Sequence, residues 1–207
     1  MEITSCERNK KNKDRYSVYI DDSYAFSISE EDYITLGLYE KKEMTADEID
    51  YIKDTVNFRA AKSDAIKYMT AKLRTAKEVE LKLASLGYDA SAIEKAVGEL
   101  CALGYINNKL YVQKYVFDRS KLKPIAKRMI KYELLGKGIG EEDIDEVLDS
   151  WDVDESVVAE GLIKKKFGKY NMKDDKTILK IYNFLRHRGF SGDLVDELIG
   201  KIKQNEL

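Results

Sequence analysis

The chain has 207 residues, with 36 Lys and Arg against 38 Asp and Glu and a formal net charge of −2, so charge is abundant but balanced. No stretch approaches the roughly 18 consecutive apolar residues that a membrane-spanning helix needs, and a hydrophobic content of 43%, spread along the length, excludes intrinsic disorder. One histidine, His187, and two cysteines, Cys6 and Cys101, are too few for imidazole chemistry, a disulfide framework or a zinc site of the usual ligands. No catalytic residue, metal or cofactor is therefore expected. With no apolar leader after Met1, the expected compartment is the cytoplasm. A single proline, Pro124, predicts a mostly helical chain.

The first thirty residues differ from the rest. Ile3 to Arg8, Tyr16 to Ile20 and Tyr24 to Ile28 are short runs rich in aromatic and β-branched residues, separated by a polar stretch at 9–14 and by Asp21-Asp22. Alternation at Tyr16, Val18, Ile20 and at Tyr24, Phe26, Ile28 predicts a small antiparallel sheet with one buried face. Such a sheet needs a helix to lie on, starting near Ser29 or Thr45; Thr45 with Glu48 has capping-box spacing, and Ile49, Ile52 and Val56 then share a helical face.

From residue 62 onward the apolar period is helical. Ala65, Ile66, Met69 and Leu73 form one stripe, Val79, Leu83 and Leu86 a second, and Ile93, Ala96, Val97, Leu100 and Leu103 a third. Thr75 with Glu78, and Ser91 with Glu94, read as two further capping boxes. Gly87, Gly138 and Gly189 stand 51 residues apart, twice, each followed by an apolar residue. Val79, Ile130 and Ile181 precede them by eight, and Leu83, Leu134 and Leu185 by four; each glycine falls where a left-handed residue ends a helix. In the opening helices Ile66, Val112 and Val158 are 46 apart, which predicts a connection that lengthens by five residues per repeat. The organisation expected is a β/helix module at 1–61 and three-helix repeats at 62–107, 108–155 and 156–207. The fold class is mainly α, three tandem three-helix repeats in an elongated, curved array with a small N-terminal antiparallel β module packed on helix.

These stretches resemble the RecX family. The first repeat carries Ala65-Ile66-Lys67-Tyr68-Met69, Arg74-Thr75, Glu78, Lys82-Leu83, Gly87-Tyr88 and Gly104-Tyr105-Ile106-Asn107-Asn108; the second Tyr115-Val116, Arg119, Arg128, Glu133-Leu134 and Gly138-Ile139; the third Phe184 to Ser191. Tyr19-Ile20-Asp21-Asp22 and Tyr24-Ala25-Phe26 are similar to the N-terminal extension of longer members. The resemblance spans nearly the whole chain, departing at Asn107-Asn108, where an acidic pair is usual, and at Lys123-Pro124, where a glycine is common. It implies a non-enzymatic protein that lies in the groove of the RecA nucleoprotein filament, restrains recombinase and ATPase activity, and favours disassembly.

Net neutrality conceals segregation. Residues 109–140 hold nine basic and two acidic side chains, 141–155 hold nine acidic and none basic, and 161–190 hold nine basic and two acidic. Basic segments that meet several phosphates bind by counterion release, and the acidic one suits a basic protein surface. The residues expected to touch DNA or filament are Arg119, Lys123, Lys127, Arg128 and Lys131 in the second repeat, with Lys164, Lys165, Lys166, Lys169, Arg186 and Arg188 in the third. The partners expected are the RecA filament and single- or double-stranded DNA, with no membrane, and the chain is read as a monomer. Tyr111, Tyr115, Phe117, Tyr132, Phe167 and Tyr182 are expected in cores, and only Tyr170 stands in a basic loop suited to base stacking. Trp151 is read as packing beside Val147 and Leu148, and Cys101 as a small core hydrophobe. Glu141-Glu142 and Asp174-Asp175 read as helix N-terminal charge, and His187 as a helix C-terminal dipole partner. Two other classes remain open: a helix-turn-helix transcriptional regulator, which would show sequence specificity, and a protein-only adaptor whose acidic and basic blocks pair internally.

Overall fold

Val18, Ile20, Phe26 and Ile28 alternate along two strands, and the computed structural model, which describes residues 1–10 and 12–204, buries all four on one face of a three-stranded sheet. Its strands β1 (Ile3–Arg8), β2 (Arg15–Ile20) and β3 (Ser23–Ser29) are antiparallel in the order β1-β2-β3. Asp21 and Asp22 turn β2 into β3 with φ of 47° and 61°, the left-handed region that aspartate enters more readily than most residues. Lys11, part of the polar connection expected at 9–14, lies outside the described residues, as do 205–207 of the third repeat. Tyr24 departs from the predicted alternation. A register shift between Val18 and Tyr19 sets Tyr24 opposite Tyr19, and its half-exposed ring donates the phenol to Asp89 Oδ1 at 2.6 Å.

The sheet rests on helix, as its size requires. Ser29 caps the short α1 (Glu30–Thr35). Thr45 caps α2 (Ala46–Tyr51) with the full capping box to Glu48. The chain then passes through one π-helical turn, Ile52–Val56, into α3 (Asn57–Met69) without leaving the helix, so residue 61 lies inside a continuous helix. The wider turn rotates the buried face. Ile49, Ile52 and Val56 face the sheet, with Leu38 and Met44, whereas Ala61 and Ala65 face the first repeat. One helix thereby serves two cores.

Arg15 ties those cores together. It is 3% exposed, and its Nε donates to Ser27 Oγ (3.0 Å) and its Nη2 to Ser27 O (2.9 Å) and Asn57 Oδ1 (3.2 Å). Its guanidinium carbon lies 3.9 Å from the Tyr88 ring centroid, and the Tyr88 hydroxyl donates to Asp64 Oδ2 at 2.8 Å. Burial pulls the Arg15 pKa below its ordinary value, opposed by Tyr88, Asp89, Tyr24 and Asp64. Burial pushes the Tyr88 phenol up against the opposing pull of Arg15, and the hydrogen bond to Asp64 adds to the rise. Tyr24 is likewise raised, by burial and then by its hydrogen bond to Asp89.

Three three-helix repeats follow: α3 with α4 (Ala76–Ser85) and α5 (Ala90–Ala102); α6 (Asn108–Leu122), α7 (Lys127–Gly136) and α8 (Glu141–Ser150); α9 (Glu155–Phe167), α10 (Asp175–His187) and α11 (Gly192–Gln204). By contacts the chain divides into two units, Met1–Asn108 and Lys109–Leu207. Val79, Ile130 and Ile181, and Leu83, Leu134 and Leu185, are fully buried. Gly87, Gly138 and Gly189 have φ of 86°, 75° and 88°, as a helix-ending left-handed residue requires.

Five local readings are corrected. Ile66 is exposed, and the buried residues of the opening helices are Asn57, Ala61 and Ala65 in α3, Val112 and Val116 in α6, and Ala159, Ile163 and Phe167 in α9. The connections from the first to the second helix run over 70–75, 123–126 and 168–174, so they hold six, four and seven residues. They do not lengthen by five from one repeat to the next. Small alanines facing α5 carry the contact, so the bulkier neighbour that dominates the apolar count points outward. Leu73 lies past the end of α3, and Cys101 is exposed rather than in the core. Ser91 is inside α5, not its cap. Asp89 holds that position, and its carboxylate takes the Tyr24 hydroxyl and, at 3.4 Å, the Ser27 amide instead of the helix's own amides.

Gly189 is less replaceable than Gly87, where the nearest atom to an added Cβ is the Asn9 amide at 3.2 Å. A Cβ at Gly189 would lie 2.8 Å from Met129 Cβ, whereas Gly104, with φ of 76°, faces open space. Gly104→Ala is expected to cost about 1–2 kcal/mol from the left-handed backbone alone, and Gly189→Ala about 1–3 kcal/mol more through the clash. Urea unfolding curves of the two variants measure the gap, and equal losses would refute it.

Candidate nucleic-acid interface

The predicted basic residues of the second repeat are largely engaged inside the fold. Arg119, at the end of α6, donates Nη2 to Glu133 Oε1 (2.7 Å) and to the Tyr115 hydroxyl (2.9 Å), and Tyr115 in turn donates to Glu133 Oε2 (2.6 Å). Burial alone would lower the Arg119 pKa, but Tyr115 and Glu133 outweigh it and leave the group raised. Lys131 on α7 bridges Asp145 (2.8 Å) and Glu141 (3.4 Å) on α8, and those hydrogen bonds, Asp145 first, raise its pKa. Lys127 donates its backbone N–H to Glu155 Oε1 (2.6 Å) and its Nζ to Leu148 O (3.2 Å), with the ammonium over Trp151. Lys109 pairs with Glu146. The acidic block 141–155 is thus in part the counter-charge of its own repeat, which sequence segregation alone does not show. Lys123 and Arg128 stay exposed and hold no ion pair with a described residue.

The third repeat is different. Lys164, Lys165 and Lys169 are exposed around the C-terminal end of α9 and hold no ion pair with any described residue. Arg186 donates Nη1 to Phe190 O (2.9 Å), closing the turn after α10, while remaining exposed. Lys166 Nζ and the Arg188 guanidinium carbon lie 4.0 Å and 4.5 Å from the Phe184 ring centroid. Such contacts place a cation without neutralising it. Arg188 Nη1 also donates to Pro124 O (3.1 Å), and its backbone O accepts from Ala126 N (3.0 Å), seating the end of α10 on the α6–α7 connection.

A cleft of about 810 Å³ opens here, lined by α7 on one side and α9 and α10 on the other. Lys180, Phe184 and His187 share one face of α10 and reach it together with Lys166 and Arg188. Lys180 was not among the expected contacts, although its spacing of four before Phe184 and seven before His187 was legible as one helical face. Tyr170 is 62% exposed beside the cleft, as its basic loop suggested. Phe117 and Tyr132, expected in the core, are exposed as well, at 61% and 74%; both stand on helix faces that neither core needs. Trp151 packs on the second-repeat core, His187 ends α10, and Glu141, Glu142 and Asp143 occupy the first turn of α8, with Asp174 capping α10. Among the described residues no cluster of His, Cys, Asp or Glu has the makings of a metal site, and no helix is long and apolar enough to cross a membrane.

The fold is that of a helical-repeat protein with a small N-terminal sheet, and its third repeat carries exposed positive charge. Family models place it further: the RecX N-terminal domain matches residues 1–45, and the first, second and third three-helix domains of RecX match 61–100, 107–148 and 154–199. The chain is 32% identical to the regulatory protein RecX of Clostridium beijerinckii over 204 residues, covering 97% of this chain and 95% of that protein. It is 33% identical to that of Clostridium tetani over 204 residues, covering 97% and 94%. Among solved structures, a crystal structure of regulatory protein RecX superposes with a TM-score of 0.65 at 28% identity over 97% of this chain and 98% of that one. RecX from Lactobacillus salivarius gives 0.58 at 27% identity over 72% and 97%. The chain belongs to the RecX family.

Proposed function

We propose that the chain is a non-enzymatic cytoplasmic regulator of homologous recombination that binds the RecA nucleoprotein filament and lowers its ATPase and strand-exchange activity or hastens its disassembly. Family membership supports RecA as the partner. The observation that carries a DNA or filament contact is the basic surface of the third repeat, Lys164, Lys165 and Lys169 with Lys166, Lys180 and Arg188 around the cleft, which forms no ion pair among the described residues. Its mechanism is differential affinity: the chain shifts the assembly equilibrium by as much as it prefers one filament state to another.

The experiment is RecA-dependent ATP hydrolysis on single-stranded DNA at increasing concentrations of this protein. Hydrolysis is expected to fall and level off, and a rate unchanged at excess protein overturns the reading. The internal pairing of Lys131 and Lys109 with α8 favours a second reading, a protein-only adaptor. Filter binding to single-stranded DNA at low salt separates the two, since an adaptor retains none.

A further inference from the structure

We propose that the cleft between α7 and the α9–α10 pair seats one or two nucleotides of a single strand, a base stacking on Tyr170 and phosphates meeting Lys180, Lys166 and Arg188. The inference rests on the nucleic-acid contact proposed above and specifies its strand form and its residues.

The sign of the cleft comes first. Its one carboxylate, Glu133, is taken by Arg119 and Tyr115, so the field inside is set by the lysines and Arg188. Two of these cations are placed by the Phe184 ring rather than by a carboxylate, and so keep their charge for an anion. Arg188 Nη1 is satisfied by Pro124 O, while its buried Nε has no hydrogen-bond partner in the described structure. That Nε is shut away from solvent, so the group offers an entering anion its positive charge and its remaining terminal nitrogen.

The floor and rim decide which anion. A surface that meets only a backbone phosphate has no use for an apolar floor, yet this one is made of Phe167 and Phe184 with Ile125 and Met129. Tyr170 leans on Phe167 with ring centroids 6.3 Å apart and leaves most of its surface to solvent. An exposed aromatic face beside cations is how single-stranded nucleic acid is held without sequence preference. Asn183 adds an amide that pairs with any base edge. The volume matches the scale of a site for one small ligand. A duplex keeps its base faces stacked inside the helix and cannot present them to Tyr170, so the cleft favours a single strand.

Fluorescence anisotropy of a labelled oligo-dT, compared with a duplex of equal length at one salt concentration, tests this. Wild-type protein is expected to bind oligo-dT more tightly. Tyr170→Ala is expected to weaken oligo-dT by about fivefold or more, the loss of one base stack, while Tyr170→Phe keeps wild-type affinity. Photo-crosslinking with 5-iodouracil in the strand is expected to mark Tyr170. Equal oligo-dT affinity for wild type and Tyr170→Ala, or duplex bound as tightly as single strand, overturns the proposal. Polyglutamate bound more tightly than oligo-dT with the same Tyr170 dependence also overturns it, assigning the cleft to an acidic peptide. Oligo-dT binding that Lys164→Glu with Lys165→Glu weakens and Tyr170→Ala does not sinks the cleft alone. No binding of either strand form removes the nucleic-acid contact as a whole.

Discussion

Arg15→Met is expected to lower the melting temperature of the Met1–Asn108 unit by about 10 °C or more. The substitution fills much of the volume but leaves Ser27 O, Ser27 Oγ and the 1%-exposed Asn57 without their donor. Removing one side of a buried charged network costs about 2–4 kcal/mol, and each kcal/mol is worth about 4–8 °C in a domain of this size. Arg15→Lys is expected to fall in between, because an ammonium keeps the charge but not the planar fork that serves Ser27 and Asn57 together. Thermal melts followed by circular dichroism measure both. A shift of less than about 2 °C for Arg15→Met would show that Val18, Phe26 and Ile28 hold the sheet on its helix without the network.

Charge reversal of the third repeat is expected to have the largest functional effect. The triple variant Lys164→Glu, Lys165→Glu, Lys169→Glu removes three exposed cations that no described carboxylate uses. The slope of log affinity for single-stranded DNA against log salt should flatten by about 2, at roughly 0.7 per lost phosphate contact. Restraint of RecA-dependent ATP hydrolysis should weaken by tenfold or more in the protein concentration required, with the melting temperature unchanged. Full restraint with an unaltered salt slope would refute it. Reversal in the second repeat reads out something else. Lys131→Glu sets a carboxylate against Asp145 and Glu141, and Lys127→Glu removes the donor to Leu148 O. Those two changes perturb α7 against α8 before they report on DNA, so they are a poor probe of the interface despite their place in the basic segment.

Much of the fold is visible in residue order. The three strands, the Thr45 and Thr75 capping boxes and the 51-residue glycine interval are local features: each depends on φ, on a side chain reaching its own backbone, or on a period of two or 3.6. The misplacements have a common cause in contacts made far along the chain. Ser91-Glu94 has the right spacing for a cap, but the chain turns at Asp89, whose carboxylate is held by Tyr24 and Ser27 more than sixty residues earlier. Ile66 outweighs Ala65 in any apolar count, yet close packing of α3 on α5 selects the alanine.

The candidate surface divides in the same way. Residue order establishes that positive charge is concentrated in 109–140 and 161–190, that one histidine and two cysteines leave little for catalysis, and that Tyr170 stands in a basic loop. Which cations are available is settled only once the helices pack. α8 lies against α7 and so neutralises Lys131, whereas Lys164, Lys165 and Lys169 form no ion pair among the described residues. A charge count is additive along the chain, but an ion pair forms across a few ångströms of space, and it is the folded distances that separate a structural lysine from one left to meet a phosphate.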